Sequence, residues 1–145
     1  MDTDARRTTA ELLGRLDRKT LAFWAADCAE HVLSCFEERH PDDDRPRKAI
    51  ETVRAWARGE IKVGAARNAA VAAHAAARAA ETPAACAAGR SAGQAAGTAH
   101  MAGHAIHAAE YAAKAVALAA SPDGAEDAAI REREWQHQRL LEMRG

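Results

Sequence analysis

The chain predicts an all-α fold: a single compact domain over residues 1–145, built from six or seven short antiparallel helices. A helical bundle satisfies that description, and stacked helical hairpins are the alternative. Three observations carry the prediction. Alanine fills about half of residues 65–120, and it combines the highest helix propensity with almost no side-chain entropy to lose. Elsewhere apolar residues recur at i, i+3/i+4 and i+7, and no segment alternates as a half-buried strand would. Turn sequences rich in Pro, Gly and Asp separate the periodic stretches. A GC-rich genome also enriches Ala, Arg and Gly, so the periodicity carries more weight than the alanine count. Because alanine offers little apolar area, its helices must approach closely to bury anything useful.

The first helix is expected over Thr9–Asp17, with Thr9 as N-cap and Leu12, Leu13 and Leu16 as its apolar stripe. Residues 1–8 are expected to be flexible. The second helix starts near Leu21, and Trp24, Ala25, Cys28, Val32, Cys35 and Phe36 form one buried face. Phe23 and Leu33 lie on its far side, which predicts neighbours on both flanks. Arg39–Pro46 reads as a turn, with Asp44 capping a third helix and Pro46 in its first turn. Ala49, Ile50, Val53, Trp56 and Ala57 face inward there, and Gly59 ends the helix. The fourth helix covers Ile61–Ala80 through Ala66, Ala70, Ala73 and Ala77, and Pro83 starts a fifth. An unbroken helix from Pro83 to Ala120 would outreach so small a protein, so a break is placed near His100–Gly103. Ser121 as N-cap and Pro122 at the first position open the last helix, which runs through Trp135 to Met143.

The net charge is −1, so no global bias toward nucleic acid or anionic membrane exists. The distribution is uneven: residues 1–60 carry 11 Lys and Arg against 13 Asp and Glu, and residues 61–120 carry 5 against 2. No apolar run approaches the roughly 18 residues that cross a bilayer. The amino terminus opens on acids without an apolar core, unlike a secretory signal. Cys28, Cys35 and Cys86 form no CxxC spacing, and buried free thiols in a reducing cytoplasm account for them.

Among candidate chemistries, His100-x-x-x-His104-x-x-His107 is the strongest. On one helix the three imidazoles would share a stripe with Tyr111 and could hold a zinc ion. The H-E-x-x-H base is missing, however, and boundary histidines beside a buried Met101, Ala105, Ala108, Ala112 and Val116 face are the preferred reading. Asp27 and His31 are one turn apart and could pair, with Cys28 between them. Cys28 points to the apolar stripe, so a capping or inter-helix hydrogen bond suits that pair better than nucleophilic catalysis. Asp42–Asp44 reads as a solvated turn and cap rather than a calcium loop. Gly89, Gly93 and Gly97 repeat every four residues, which fits close helix contact rather than phosphate binding. No catalytic, cofactor or metal-ligand set is assigned, and the partner-binding face is not identified.

Two segments resemble a known family when taken together. One is Leu21–Leu33 with its Trp24-x-x-Asp27-Cys28-x-Glu30-His31 core, followed by Arg45–Ile50 and Ala55–Gly59. The other is Thr98–Ala105 with Tyr111–Ala115, and Trp135 falls in the expected closing helix. In this order they resemble an all-helical family of immunity proteins from bacterial polymorphic toxin systems. The resemblance implies a small cytoplasmic protein that binds a cognate toxin and blocks it, with no reaction of its own. The alternatives are a metal- or small-molecule-binding protein using His100, His104 and His107, and a structural homo-oligomer such as a homodimer.

Overall fold

The computed structural model describes residues 9–144, without the side chain of Arg144. Residues 1–8, expected to be flexible, lie outside the described residues. The fold is all-α. A helical turn at residues 9–13 (α1) is followed by α2 (Arg18–His31), α3 (Ser34–Glu37), α4 (Arg45–Ala57) and α5 (Val63–Arg78). Then come α6 (Pro83–Gly97), α7 (His104–Ala119), a 3₁₀ turn (Pro122–Gly124) and α8 (Ala125–Arg144).

Helix α6 is the hub, in contact with α2, α3, α4, α5 and α7, while α8 closes over α7 and α2. Its burial on almost every side follows from its composition. Ala85, Ala88, Gly89, Ser91, Ala92, Gly93, Ala95, Ala96 and Gly97 are all buried and span every direction around the helix. A Cβ on Gly89 would fall 3.0 Å from the Cβ of Ala77 on α5, and one on Gly93 would fall 2.6 Å from the ring of His74. On Gly97 it would lie 3.0 Å from the ring of His104 on α7. The four-residue glycine spacing therefore does what close packing requires: it removes side chains where helices meet. Against this hub α2, the turn that follows it, α4 and α8 place the large side chains Trp24, Leu33, Ile50, Val53 and Leu140, all buried. Phe36 and Val32 form a second cluster with alanines of α5, α6 and α7.

Most predicted boundaries hold, and the departures have physical causes. Thr9 does not cap: it is already helical and buried, and its hydroxyl lies 2.9 Å from Nδ1 of His137 on α8. Asp17, expected as the end of the first helix, is the N-cap of α2; its Oδ1 accepts from the Thr20 amide at 2.8 Å. Those hydrogen bonds hold its carboxyl below the usual range. The second predicted helix breaks near Val32–Leu33, and a separate turn, α3, brings Phe36 inward. Asp44 makes no capping bond, because Pro46 removes one of the amides a cap would bind; it pairs instead with Lys48 at 3.3 Å. Asp43 takes the Arg45 amide at 3.1 Å.

Gly59, at φ +80°, ends α4 in the left-handed conformation that glycine adopts without strain. Thr82 caps α6 by accepting from the Ala85 amide at 3.1 Å, with Pro83 at the first position as predicted. The break between α6 and α7 falls at residues 98–103, as expected. It carries Met101 out of the predicted buried face, to 58% exposure. Ser121 makes no capping bond; Pro122–Gly124 form the 3₁₀ turn first, since glycine disfavours continuing α-helix.

Candidate functional site

The Trp24-x-x-Asp27-Cys28-x-Glu30-His31 segment lies on α2, and α8 and α4 supply its partners. Trp24 is fully buried, and its Nε1–H donates to the Gln136 carbonyl at 2.8 Å. The Gln136 side chain donates onward to the Ala109 carbonyl at 2.9 Å, tying α2, α8 and α7 together. Asp27 and His31 do not pair. Asp27 accepts from Arg54 of α4 at 2.7 Å and from Arg139 of α8 at 2.8 Å, which occupies both its oxygens. Arg54 also donates to Glu30 at 2.9 Å, and this bond holds the Glu30 carboxyl below its ordinary range.

His31 reaches across to α8. Its Nδ1 lies 2.7 Å from Glu132 Oε2, and its ring stacks on Trp135 with centroids 3.6 Å apart and planes within 5°. Glu132 is only 6% exposed; burial pushes its carboxyl up, against the lowering effect of the His31 bond. The expected hydrogen bond between helices is thus present, with a different partner. The Asp27–His31 pairing that the spacing allows does not form, because two guanidiniums compete for that carboxylate and win on charge. An open depression of about 430 Å³ remains at the surface, lined by Asp27, Glu30, His31, Trp135 and Arg139.

The arrangement joins α2 to α4 and α8 through Asp27, Glu30 and His31. Cys28 is fully buried, and burial, followed by the charges of Glu132 and Asp27, pushes its thiol well above the ordinary value. A protonated, buried thiol is inert at neutral pH.

The histidine stripe is also corrected. His100 lies in the turn before α7, so the three imidazoles do not share a helix. His104 Nδ1 bonds Gln94 Oε1 at 2.6 Å, and His107 Nδ1 lies 3.1 Å from its own neighbour Glu110. The His100 and His104 rings approach to 5.3 Å, and His100 Nδ1 is buried with no hydrogen-bond partner among the described residues. Among the described residues no three His, Cys, Asp or Glu side chains are grouped to share a metal ion. None of the described helices is long and apolar enough to cross a membrane.

Glu132, Arg139 and Arg54 escaped the sequence reading. Glu132, Gln136 and Leu140 recur every four residues and form the buried stripe of α8, yet two of the three are polar. A search for apolar periodicity passes over such a face.

Polar bonds from α2 to α8 thus knit the second and last helices of an all-α protein together. The chain matches the Imm-5 like putative immunity protein family over residues 11–143, and it is a member of that family. Among curated proteins and among solved structures none matches.

Proposed function

We propose that this protein binds a cognate toxin of a bacterial polymorphic toxin system in the cytoplasm and neutralises it by occupying its surface, without catalysing a reaction. The observation that carries this reading is the family match, which spans α2 to α8 and not a single motif. The geometry supports it. The most distinctive polar residues, Asp27, Glu30 and His31, are engaged in holding helices together, which gives the preorganised scaffold that tight binding favours.

The test is co-expression with each toxin domain encoded beside the chain in its own genome, with complex formation measured by pull-down and sedimentation. Rescue of growth with a stable 1:1 complex is the expected result. Toxins that kill equally in its presence, with no complex formed, would overturn the proposal.

A further inference from the structure

One side of the molecule holds positive charge that the fold does not neutralise. On α4, Arg45, Arg47, Lys48 and Arg54 each have a carboxylate partner. The α5–α7 side is different: residues 63–120 contain only two carboxylates, Glu81 and Glu110. Arg67, Arg78 and Arg90 make no ion pair among the described residues.

These charges are contiguous. Arg67, Val71, His74 and Arg78 follow i, i+4, i+7, i+11 and so fall on one stripe of α5. His74 sits at the α5–α6 seam against Gly93. Burial holds its imidazole below the ordinary range, and the nearby charges of Arg90, Arg78 and His104 push it the same way. His104, next along the surface, is lowered by burial and then by His100 and His107. The fold therefore keeps mutually repelling groups together, at a cost to its own stability.

We infer that this α5–α6–α7 strip is a docking surface for an acidic protein partner, whose carboxylates supply the ion pairs that Arg67, Arg78 and Arg90 lack. The inference rests on the toxin-binding reading and deepens it by naming the face and the chemistry. A protein fits better than a nucleic acid. The exposed apolar side chain of Val71, at 63%, lies within the stripe, as at protein interfaces. Tyr111, half-buried, is the sole aromatic residue between 63 and 120, which leaves no series of rings for bases to stack on.

The experiment pairs two charge reversals at exposed sites, Arg67→Glu with Arg78→Glu and, as control, Arg47→Glu with Arg58→Glu on the α4 side. Circular dichroism melts check that both remain folded. Fluorescence anisotropy with labelled poly-L-glutamate should show about ten-fold weaker binding for the first pair and little change for the second. Equal loss in both pairs, no binding by the wild type, or tighter binding of duplex DNA of equal charge would overturn the inference. The growth-rescue assay then separates the two claims. Rescue that survives the α5 reversal removes this docking face and leaves the immunity reading. Polyglutamate binding through the α5 arginines without any toxin rescue removes the immunity reading and leaves an acidic-protein surface.

Discussion

Two halves of the interior are filled in opposite ways. Around α2, α4 and α8 burial is achieved with volume: Trp24, Leu33, Ile50, Val53 and Leu140 are buried. Around α5, α6 and α7 it is achieved with proximity, since nearly every buried residue is alanine or glycine and the backbones meet where glycines remove a Cβ. The difference teaches that low hydrophobic area per residue is tolerable when dispersion contacts between backbones compensate. It also separates codon bias from architecture, because the alanines sit in the contacts that need them.

The comparison breaks most visibly at Trp24. Trp24→Ala removes the largest buried side chain and the indole bond to the Gln136 carbonyl, and it should lower unfolding stability by about 3–5 kcal/mol in urea titration. A milder loss, or a cavity refilled by neighbours, would show the large-residue half to be plastic.

The alanine half should fail through added volume instead. Gly89→Ala meets the backbone and Cβ of Ala77, which cannot swing away, and a loss of about 1–2 kcal/mol is expected. Gly93→Ala meets only the far end of the His74 side chain, despite the shorter distance. That ring can rotate outward, so the gain of about 1 kcal/mol in helix propensity should leave the variant near neutral. The reverse ranking in thermal melts would mean that His74 is held more firmly than the α5 backbone.

The same half should be the more acid-sensitive. His74 and His104 are held below the ordinary imidazole value of 6.5, in each case first by burial. The unfolded chain then takes up protons before the folded one. Stability from the neutral rings is complete above about pH 6.5 and is lost as pH falls below it. Glu132 acts in the opposite sense: its raised pKa means that its contribution, present below about pH 4.5, is lost as pH rises through the raised value. Urea midpoints at pH 7.5 and 5.5 should therefore drop for the wild type and drop less for His74→Gln with His104→Gln.

The smallest effect belongs to the surface. Arg47→Ala breaks an exposed pair with Glu37, 2.8 Å between Nε and Oε2, and should cost no more than about 1 kcal/mol. A larger loss would place α3 docking among the main determinants of stability.

Helix positions were legible because propensity and the proline and glycine breaks are local: Pro83, Gly59 and the 98–103 break are each written within a few residues, whereas none of the predicted caps Thr9, Asp44 and Ser121 makes a capping bond. Partner choice was not. Asp27 and His31 stand one turn apart, and nothing near them in sequence shows that Arg54, Arg139 and Glu132 lie within bonding distance across other helices. The polar inward stripe Glu132–Gln136–Leu140 has the right period with the wrong polarity, so it is visible only once α8 is placed against α2. The site motif was thus readable as a set of residues and unreadable as a set of bonds.

The central position of α6 also constrains how the protein can change over generations. In a conventional core, random substitution mostly subtracts volume, and neighbouring side chains can drift in compensation. At Ala88, Gly89, Ala92, Gly93 and Ala96 almost nothing can be subtracted, and nearly every replacement enlarges the residue against a neighbouring helix, at Gly89 even alanine. Drift along this helix is confined to the smallest residues, so its plain composition is preserved by its own geometry while α4 and α8 are free to vary on their outer faces.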